Sequence, residues 1–469
     1  MTNFSDERAS SEGPAEVWSG DVIGQLPGTS RAPDLEVGIR GLRSASTGND
    51  LISRLTRWGV RGGSSILQQG MFAGAHFLTN ILLARWLSPA SYGAFALVYS
   101  FFLLILNGSM ALFFEPLLVF GPGRYANRLS AYLAVLVKLH FLFFVPVGLV
   151  IAALAPLINR QYGHESFLAF LALIVLGPSL MLVWLCRAAF YAELKPHLGT
   201  VAGIFYFVGL LLSVYVLQKT GLLSPAMAVV AMAIAGAFIA AGCLTQVLGR
   251  NRSEVRDRNL EAEVIADHWS YGRWSALTAL VVWLPGNLYY ALLPSRFGLA
   301  SAAELRALMN LIFPLLHTAT ALNLLLIPVL VRQIKGFGPA FMARTVKQMI
   351  FWMVPLTGIY FAVLAMFGQP LLEFLYSGKY SHVSRWAVVC IGAIPVTNGI
   401  AGLLGAGLRS LEKPHLIFWG YGLATITAIA VGCPLTLHFG VSGAASSLLL
   451  TDIPTILLLA IFLKRAVAI

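Results

Sequence analysis

Twelve apolar runs of about 20 residues or more dominate the chain, and each is long enough to cross about 30 Å of hydrocarbon as a helix. They fall at 63–87, 92–120, 130–156, 166–187, 198–218 and 224–248, then at 274–295, 303–331, 345–368, 386–408, 415–437 and 441–463. The runs are continuous and lack the period-two alternation of an outer-membrane barrel, so they predict helices. Composition agrees: 58% of residues are hydrophobic and 11% charged, with a mean hydropathy of +0.78, against about 25% charge in soluble domains.

The runs divide into two sixes that read alike. Lys195-Pro-His-Leu recurs as Lys413-Pro-His-Leu, 218 residues on (413 − 195), and each copy precedes an apolar run and a glycine turn, Gly221 to Ser224 and Gly440 to Ser442. Arg85-Trp-Leu-Ser-Pro-Ala-Ser answers Arg296-Phe-Gly-Leu-Ala-Ser-Ala at a displacement of 211 (296 − 85), and Pro156 and Tyr162 answer Pro370 and Tyr376 at 214 (370 − 156). Collinear matches at a nearly constant displacement predict one half built twice. The expected fold is an all-α polytopic membrane protein of about 12 transmembrane helices in two pseudo-symmetric six-helix lobes around a central cavity. Its expected parts are a disordered cytoplasmic tail at 1–60, an N-lobe at 61–248, a cytoplasmic connector at 249–272 and a C-lobe at 273–469. Both Lys-Pro-His-Leu copies fall at the turn between the fourth and fifth spans, where a proline that starts a helix has an ordinary structural reason, so His197 and His415 are not predicted ligands.

Charge sets the expected orientation. With both termini cytoplasmic, and leaving out Lys138, 24 Lys and Arg lie on the cytoplasmic side and 7 on the other. Topology and anionic lipid thus account for the net charge of +12, and no nucleic-acid partner is predicted. The tail is polar and too poor in apolar residues to fold alone, and no cleavable signal peptide is expected before the first span. The charged stretch Asn251 to Trp269 reads as a connector with a solvated helical face. Cys186, Cys243, Cys390 and Cys433 lack metal-ligand spacing, and no phosphate-loop motif occurs, so neither metal nor cofactor is predicted. Every outer loop is shorter than about 20 residues and holds no paired carboxylates, which makes an enzyme the weaker class.

Polar residues inside the spans are the candidates for a substrate site, because a carrier built from repeats binds between them. Gln69, His76 and Asn80 stand at i, i+7 and i+11, a single helical stripe. A displacement of 211 sets Asn287 opposite His76, and one of 210 carries Ser100 and Asn107 onto Asn310 and His317. Interhelical hydrogen bonds worth about 0.6 kcal/mol each are the competing explanation of these ladders. Ionisable groups cost more in hydrocarbon, about 2.5 to 3.5 kcal/mol on insertion scales. Lys138, about ten residues or 15 Å beyond Arg128, is expected near the midplane and is the leading candidate to hold an anion. Glu115, followed by Pro116, is its expected salt-bridge partner, and Asp452 is a candidate proton or cation site or a second partner for Lys138. His140 is read as packing.

Ser64 to Gln68, Phe77-Leu-Thr-Asn-Ile-Leu-Leu-Ala-Arg-Trp-Leu-Ser-Pro-Ala-Ser-Tyr-Gly-Ala-Phe on to Tyr99, and Leu372-Glu-Phe-Leu-Tyr-Ser-Gly-Lys-Tyr380 carry a family resemblance. They resemble bacterial polysaccharide-biosynthesis membrane proteins of the lipid-linked oligosaccharide flippase (Wzx-type) group, within the multidrug/oligosaccharidyl-lipid/polysaccharide exporter superfamily. The resemblance implies a MATE-like pair of lobes around a V-shaped cationic cavity, to which Lys138 would contribute. It also implies movement of an undecaprenyl-pyrophosphate-linked oligosaccharide across the inner membrane for exopolysaccharide or lipopolysaccharide synthesis, with membrane lipids, a polysaccharide polymerase and export proteins as partners. A drug or cation antiporter of the same superfamily and a membrane polymerase or ligase are the alternatives. A reporter active only in the cytoplasm is expected to work when fused after Ile469 and to be silent when inserted beside Lys379.

Overall fold

The computed structural model describes residues 48–193, 195–248, 258–413 and 415–468; most of the expected tail and the start of the connector lie outside them. Every regular element among the described residues is helical. Six helices precede the connector: α1 (Gly48–Trp86), α2 (Pro89–Phe120), α3 (Ala126–Tyr162), α4 (His164–Ala192), α5 (Pro196–Lys219) and α6 (Pro225–Leu248). Six follow: α7 (Arg258–Asn287, continued as Tyr289–Phe297), α8 (Leu299–Phe337), α9 (Pro339–Tyr376), α10 (Arg385–Ser410), α11 (His415–Thr427, carried on to 439) and α12 (441–468). Among the described residues ten stretches, α1 not being one of them, are long and apolar enough to cross a membrane, and the last, His415–Ala468, is two spans that meet at Gly440. Phe238, Trp352 and Phe374 stand exposed on the outside, a surface suited to hydrocarbon and not to water. The protein is a multi-pass membrane protein with two pseudo-symmetric lobes.

Local chemistry accounts for the breaks between helices. Pro89 starts α2 behind Ser88, whose hydroxyl accepts the Ser91 amide at 3.1 Å. Gly221 ends α5 and Gly440 ends α11, with φ of 70° and 57°, the left-handed region that glycine enters without a Cβ penalty. They are 219 residues apart (440 − 221), so the repeat read from the sequence recurs in the backbone. Packing repeats it again: α4 lies on α6, α3 and α2 in the first half, as α10 lies on α12, α9 and α8 in the second.

The halves meet where α2 crosses α8 and α7. At one end the α2 and α8 backbones touch, and a Cβ on Gly93 would overlap the Leu299 carbonyl. Beside this contact the Lys379 ammonium, in the α9–α10 loop, donates to the Arg85 and Leu87 carbonyls at 2.7 and 2.6 Å. These are terminal carbonyls that α1 cannot satisfy itself. The Tyr162 hydroxyl adds a bond from α3 to the Ala291 carbonyl of α7 at 3.0 Å.

The opposite end, the basic face, carries the α2–α3 loop, and there the connector departs from expectation. Residues 258–272 are continuous with α7, and their charges dock instead of facing solvent. Asp267 pairs with Arg124 at 2.6 Å, Glu263 with Arg128 at 3.3 Å and Glu261 with Lys138 at 2.6 Å. The Tyr125 hydroxyl donates to Asp267 at 2.6 Å; burial, and then that bond, push its phenol above the ordinary range, so it stays a donor. His268 donates from Nδ1 to the Leu112 carbonyl at 2.8 Å and accepts the Tyr132 hydroxyl at Nε2 at 2.6 Å. Leu112 lies in a π-helical turn, Met110–Phe114, whose wider ladder leaves a carbonyl for an outside donor.

Gly93→Ala is expected to lower the thermal midpoint of the detergent-solubilised protein by several degrees, since overpacking typically costs about 1–3 kcal/mol. Gly209→Ala, with open space around its position, is expected to leave the midpoint unchanged or raise it.

Candidate functional site: a cationic cavity between the halves

A cavity of about 180 Å³ lies between the halves. It is lined from α1 by Gln69, Phe72, His76, Phe77 and Asn80, from α2 by Tyr99, Phe102 and Leu106, from α4 by Trp184, and from α8 by Arg306, Phe313 and His317. The predicted α1 stripe thus faces it over about 16 Å. Gln69 is exposed while Asn80 and Arg306 are buried, so the cavity opens toward the basic face and closes toward the Gly93 contact.

Two buried arginines dominate the chemistry around it: Arg306 lines the cavity, and Arg187 lies behind the lining residues Gln69, Phe72 and Trp184. Arg306 is 3% exposed, donates from Nε to the Asn80 side-chain oxygen at 3.0 Å, and lies with its guanidinium carbon 4.5 Å from the Tyr99 ring centre and 4.7 Å from that of Phe313. Arg187, on α4, is also 3% exposed; it donates from Nη2 to the Gln69 side-chain oxygen at 3.2 Å and sits between Phe72 at 4.0 Å and Trp184 at 4.2 Å. Each guanidinium is therefore held by a neutral amide of α1 and set against aromatic rings, two for Arg187 and three for Arg306, whose third is Tyr290 at 5.9 Å, contacts worth about 2 kcal/mol when desolvated. None of the ion pairs among the described residues includes either arginine.

The floor is a hydrogen-bonded junction of both halves. The Asn80 oxygen also accepts the Tyr92 hydroxyl at 3.4 Å, and the Asn80 amide donates to the His76 carbonyl at 2.8 Å. Asn310 donates to the Tyr92 hydroxyl at 3.0 Å and to the Tyr376 hydroxyl at 3.4 Å, and Tyr376 in turn donates to the Ala307 carbonyl at 3.3 Å. The Tyr99 hydroxyl reaches Nδ1 of His76 at 3.5 Å, the limit of a hydrogen bond.

Among the sequence-predicted residues, Gln69, His76, Asn80 and His317 come together as lining, and Asn310 knits the floor behind them. Asn107 is half-buried on α2 and does not line the cavity; Asn287 is turned to the Trp283 carbonyl at 3.0 Å. Lys138 requires correction. Its side chain is 48% exposed and bound to Glu261, because the start of α7 crosses the basic-face end of α3. Its expected partners lie elsewhere: Glu115 accepts the Ser275 hydroxyl at 2.7 Å, and Asp452 on α12 accepts the Thr397 hydroxyl of α10. His140 is packing as read, donating from Nε2 to the Pro178 carbonyl at 2.9 Å.

Both arginines escape sequence reasoning because each sits near a helix end and counts there as a loop charge. Without them the charge bias is 23 to 6, so the orientation argument stands. A signal for one was present: Arg306, Phe313 and His317 repeat the i, i+7, i+11 spacing of Gln69, His76 and Asn80.

The sequence matches no protein-family model and no curated protein. Solved structures do match. An inward-facing multidrug resistance MATE family transporter of the MOP superfamily aligns with a TM-score of 0.70 at 12% identity, over 86% of this chain and 98% of its own. The lipid II flippase MurJ, in an inward closed conformation, aligns at 0.67 and 13%, over 86% and 87%. A MOP superfamily transporter from Pyrococcus furiosus, described as having a binding pocket of reverse polarity, aligns at 0.64 and 12%, over 87% and 95%. The chain has the fold of these transporters.

A double-mutant cycle on Asn80→Ala and Arg306→Lys is expected to return a coupling of about 1.5–3 kcal/mol in thermal unfolding, as for a buried bond to a charged group. The same cycle on Lys138→Ala and Glu261→Ala is expected to return less than about 1 kcal/mol, as for an exposed ion pair.

Proposed function

We propose that the protein is a carrier that moves a polyprenyl-pyrophosphate-linked oligosaccharide across the bacterial inner membrane for exopolysaccharide or lipopolysaccharide synthesis. The observation that carries this reading is the buried Arg306 guanidinium lining a cavity between the two halves, with that of Arg187 behind the lining residues Gln69, Phe72 and Trp184, each held by a neutral amide and, among the described residues, neither by a carboxylate. Such groups bind phosphoryl oxygens through planar, charge-assisted hydrogen bonds. Aromatic rings beside them present apolar faces to sugar and isoprenoid carbons. The fold shared with MOP superfamily transporters supports transport without covalent chemistry.

At about 180 Å³ the cavity is smaller than the roughly 300–1,000 Å³ usual for ligand sites, so this conformation admits the charged linkage and not a whole glycan. Rocking of one half against the other would enlarge the space and alternate its opening. With both termini cytoplasmic, the membrane potential favours export of an anion by about 2.3 kcal/mol per charge per 100 mV. Gln69, His76, Asn80 and His317 are the proposed substrate-contacting residues beside the arginines, and Asn310 supports them; Asn107 and Asn287 keep at most an indirect part. One observation favours coupling to a proton or cation: Asp452, a partly buried carboxylate held by Thr397 in the second half. A drug or cation antiporter would use it for substrate, yet none of the cavity-lining residues is a carboxylate.

Arg306→Gln is expected to abolish polymer export in cells at normal membrane levels of the protein, and Lys138→Ala to leave export near normal. Normal export by Arg306→Gln, or resistance to amphipathic cations conferred by the native chain, would refute the proposal.

A further inference from the structure

Arg187 carries more hydrogen-bonding capacity than its described neighbours use. Its guanidinium has five N–H donors. Among the described residues only Nη2 is engaged, by the Gln69 oxygen at 3.2 Å, while Nε and Nη1 are buried without a partner. Phe72 and Trp184 face the guanidinium, Tyr191 and Cys243 stand nearby, and no carboxylate among the described residues pairs with it. Packing does not require this arrangement, since a leucine or methionine would fill the same space between two rings without burying a charge. Gln69, by contrast, is exposed at the open mouth of the cavity, and its amide is a neutral acceptor that a charged oxygen outcompetes.

We propose that Arg187, behind the lining residues Gln69, Phe72 and Trp184, is a second anion station near the mouth of the cavity, covered by Gln69 and taken over by a phosphoryl oxygen that displaces the Gln69 amide. It rests on the reading of the cavity as an anion carrier and adds a first stop to it. Arg187 captures a phosphoryl or diphosphoryl group near the basic face, and Arg306 receives it at the floor. The two amides that hold the arginines, Gln69 and Asn80, mark the stops about 16 Å apart on one stripe of α1. Trp184, 4.2 Å from the Arg187 guanidinium, is a built-in reporter of the exchange.

The purified full chain is titrated with farnesyl diphosphate and with inorganic diphosphate, by calorimetry and by tryptophan fluorescence with Trp184→Phe as the reference. Gln69→Leu, which removes the competing cap, is expected to bind several-fold more tightly. Gln69→Glu, which clamps the guanidinium with a carboxylate, is expected to bind at least about tenfold more weakly and to lose the Trp184 response. Arg187→Gln is expected to behave like Gln69→Glu; if the loss of so buried a side chain misfolds the protein, Gln69→Glu carries the test. Tighter binding of the farnesyl compound identifies a lipid as the source of the phosphoryl group, and equal binding identifies free diphosphate. Unchanged affinity in Gln69→Glu, with binding lost in Arg306→Gln, would overturn the station and leave the carrier standing. Unchanged affinity in both variants would overturn both.

Discussion

A guanidinium buried without a carboxylate must be held by neutral oxygens and aromatic faces, and the centre of this protein is organised around that requirement. Arg306 meets it by reaching from α8 to Asn80 of α1 and to the Tyr99 ring of α2. Asn80 then needs Tyr92, Tyr92 is needed by Asn310, and Asn310 leans on Tyr376. A single charge thereby recruits helices of both halves into one junction. The network closes the cavity at its deep end, and the charge itself remains available on the cavity side.

The basic-face end is joined by a different kind of contact. There the start of α7 is held to α3 and its preceding loop by pairs that are largely exposed, such as Arg128 with Glu263 and Lys138 with Glu261. Exposed pairs of this kind are individually weak and screened by salt. The two ends of the halves therefore differ in physical character: one is a buried, geometrically exacting junction, the other a set of partly exposed ion pairs beside the buried Tyr132–His268 bond.

Hydropathy made α2 to α12 legible because a membrane span must be long, apolar and continuous, whereas α1 carries too many polar residues to stand among those spans, and the break at Gly440 was visible as the second copy of the Gly221 turn. The α1 stripe was legible for an equally simple reason: spacing along a straight helix decides which side chains share a face, so Gln69, His76 and Asn80 had to face one way. Depth along a helix, by contrast, does not reveal the direction a side chain takes around it. Lys138 was placed by depth and proved to face the start of α7. Arg187 and Arg306 posed the reverse problem, since charges near helix ends ordinarily belong to loops, and only tertiary packing turns these two inward.

The contact of Gly93 with the Leu299 carbonyl leaves no side chain between two long helices at one point near their ends. Backbones in touch cannot slide past each other without collision, so this point acts as a fulcrum and α2 and α8 as levers. A modest change of angle there is magnified along α2, whose 27 residues beyond Gly93 (120 − 93) extend about 40 Å away from it. In any such change of angle the far ends, where the joining pairs are partly exposed, would travel furthest.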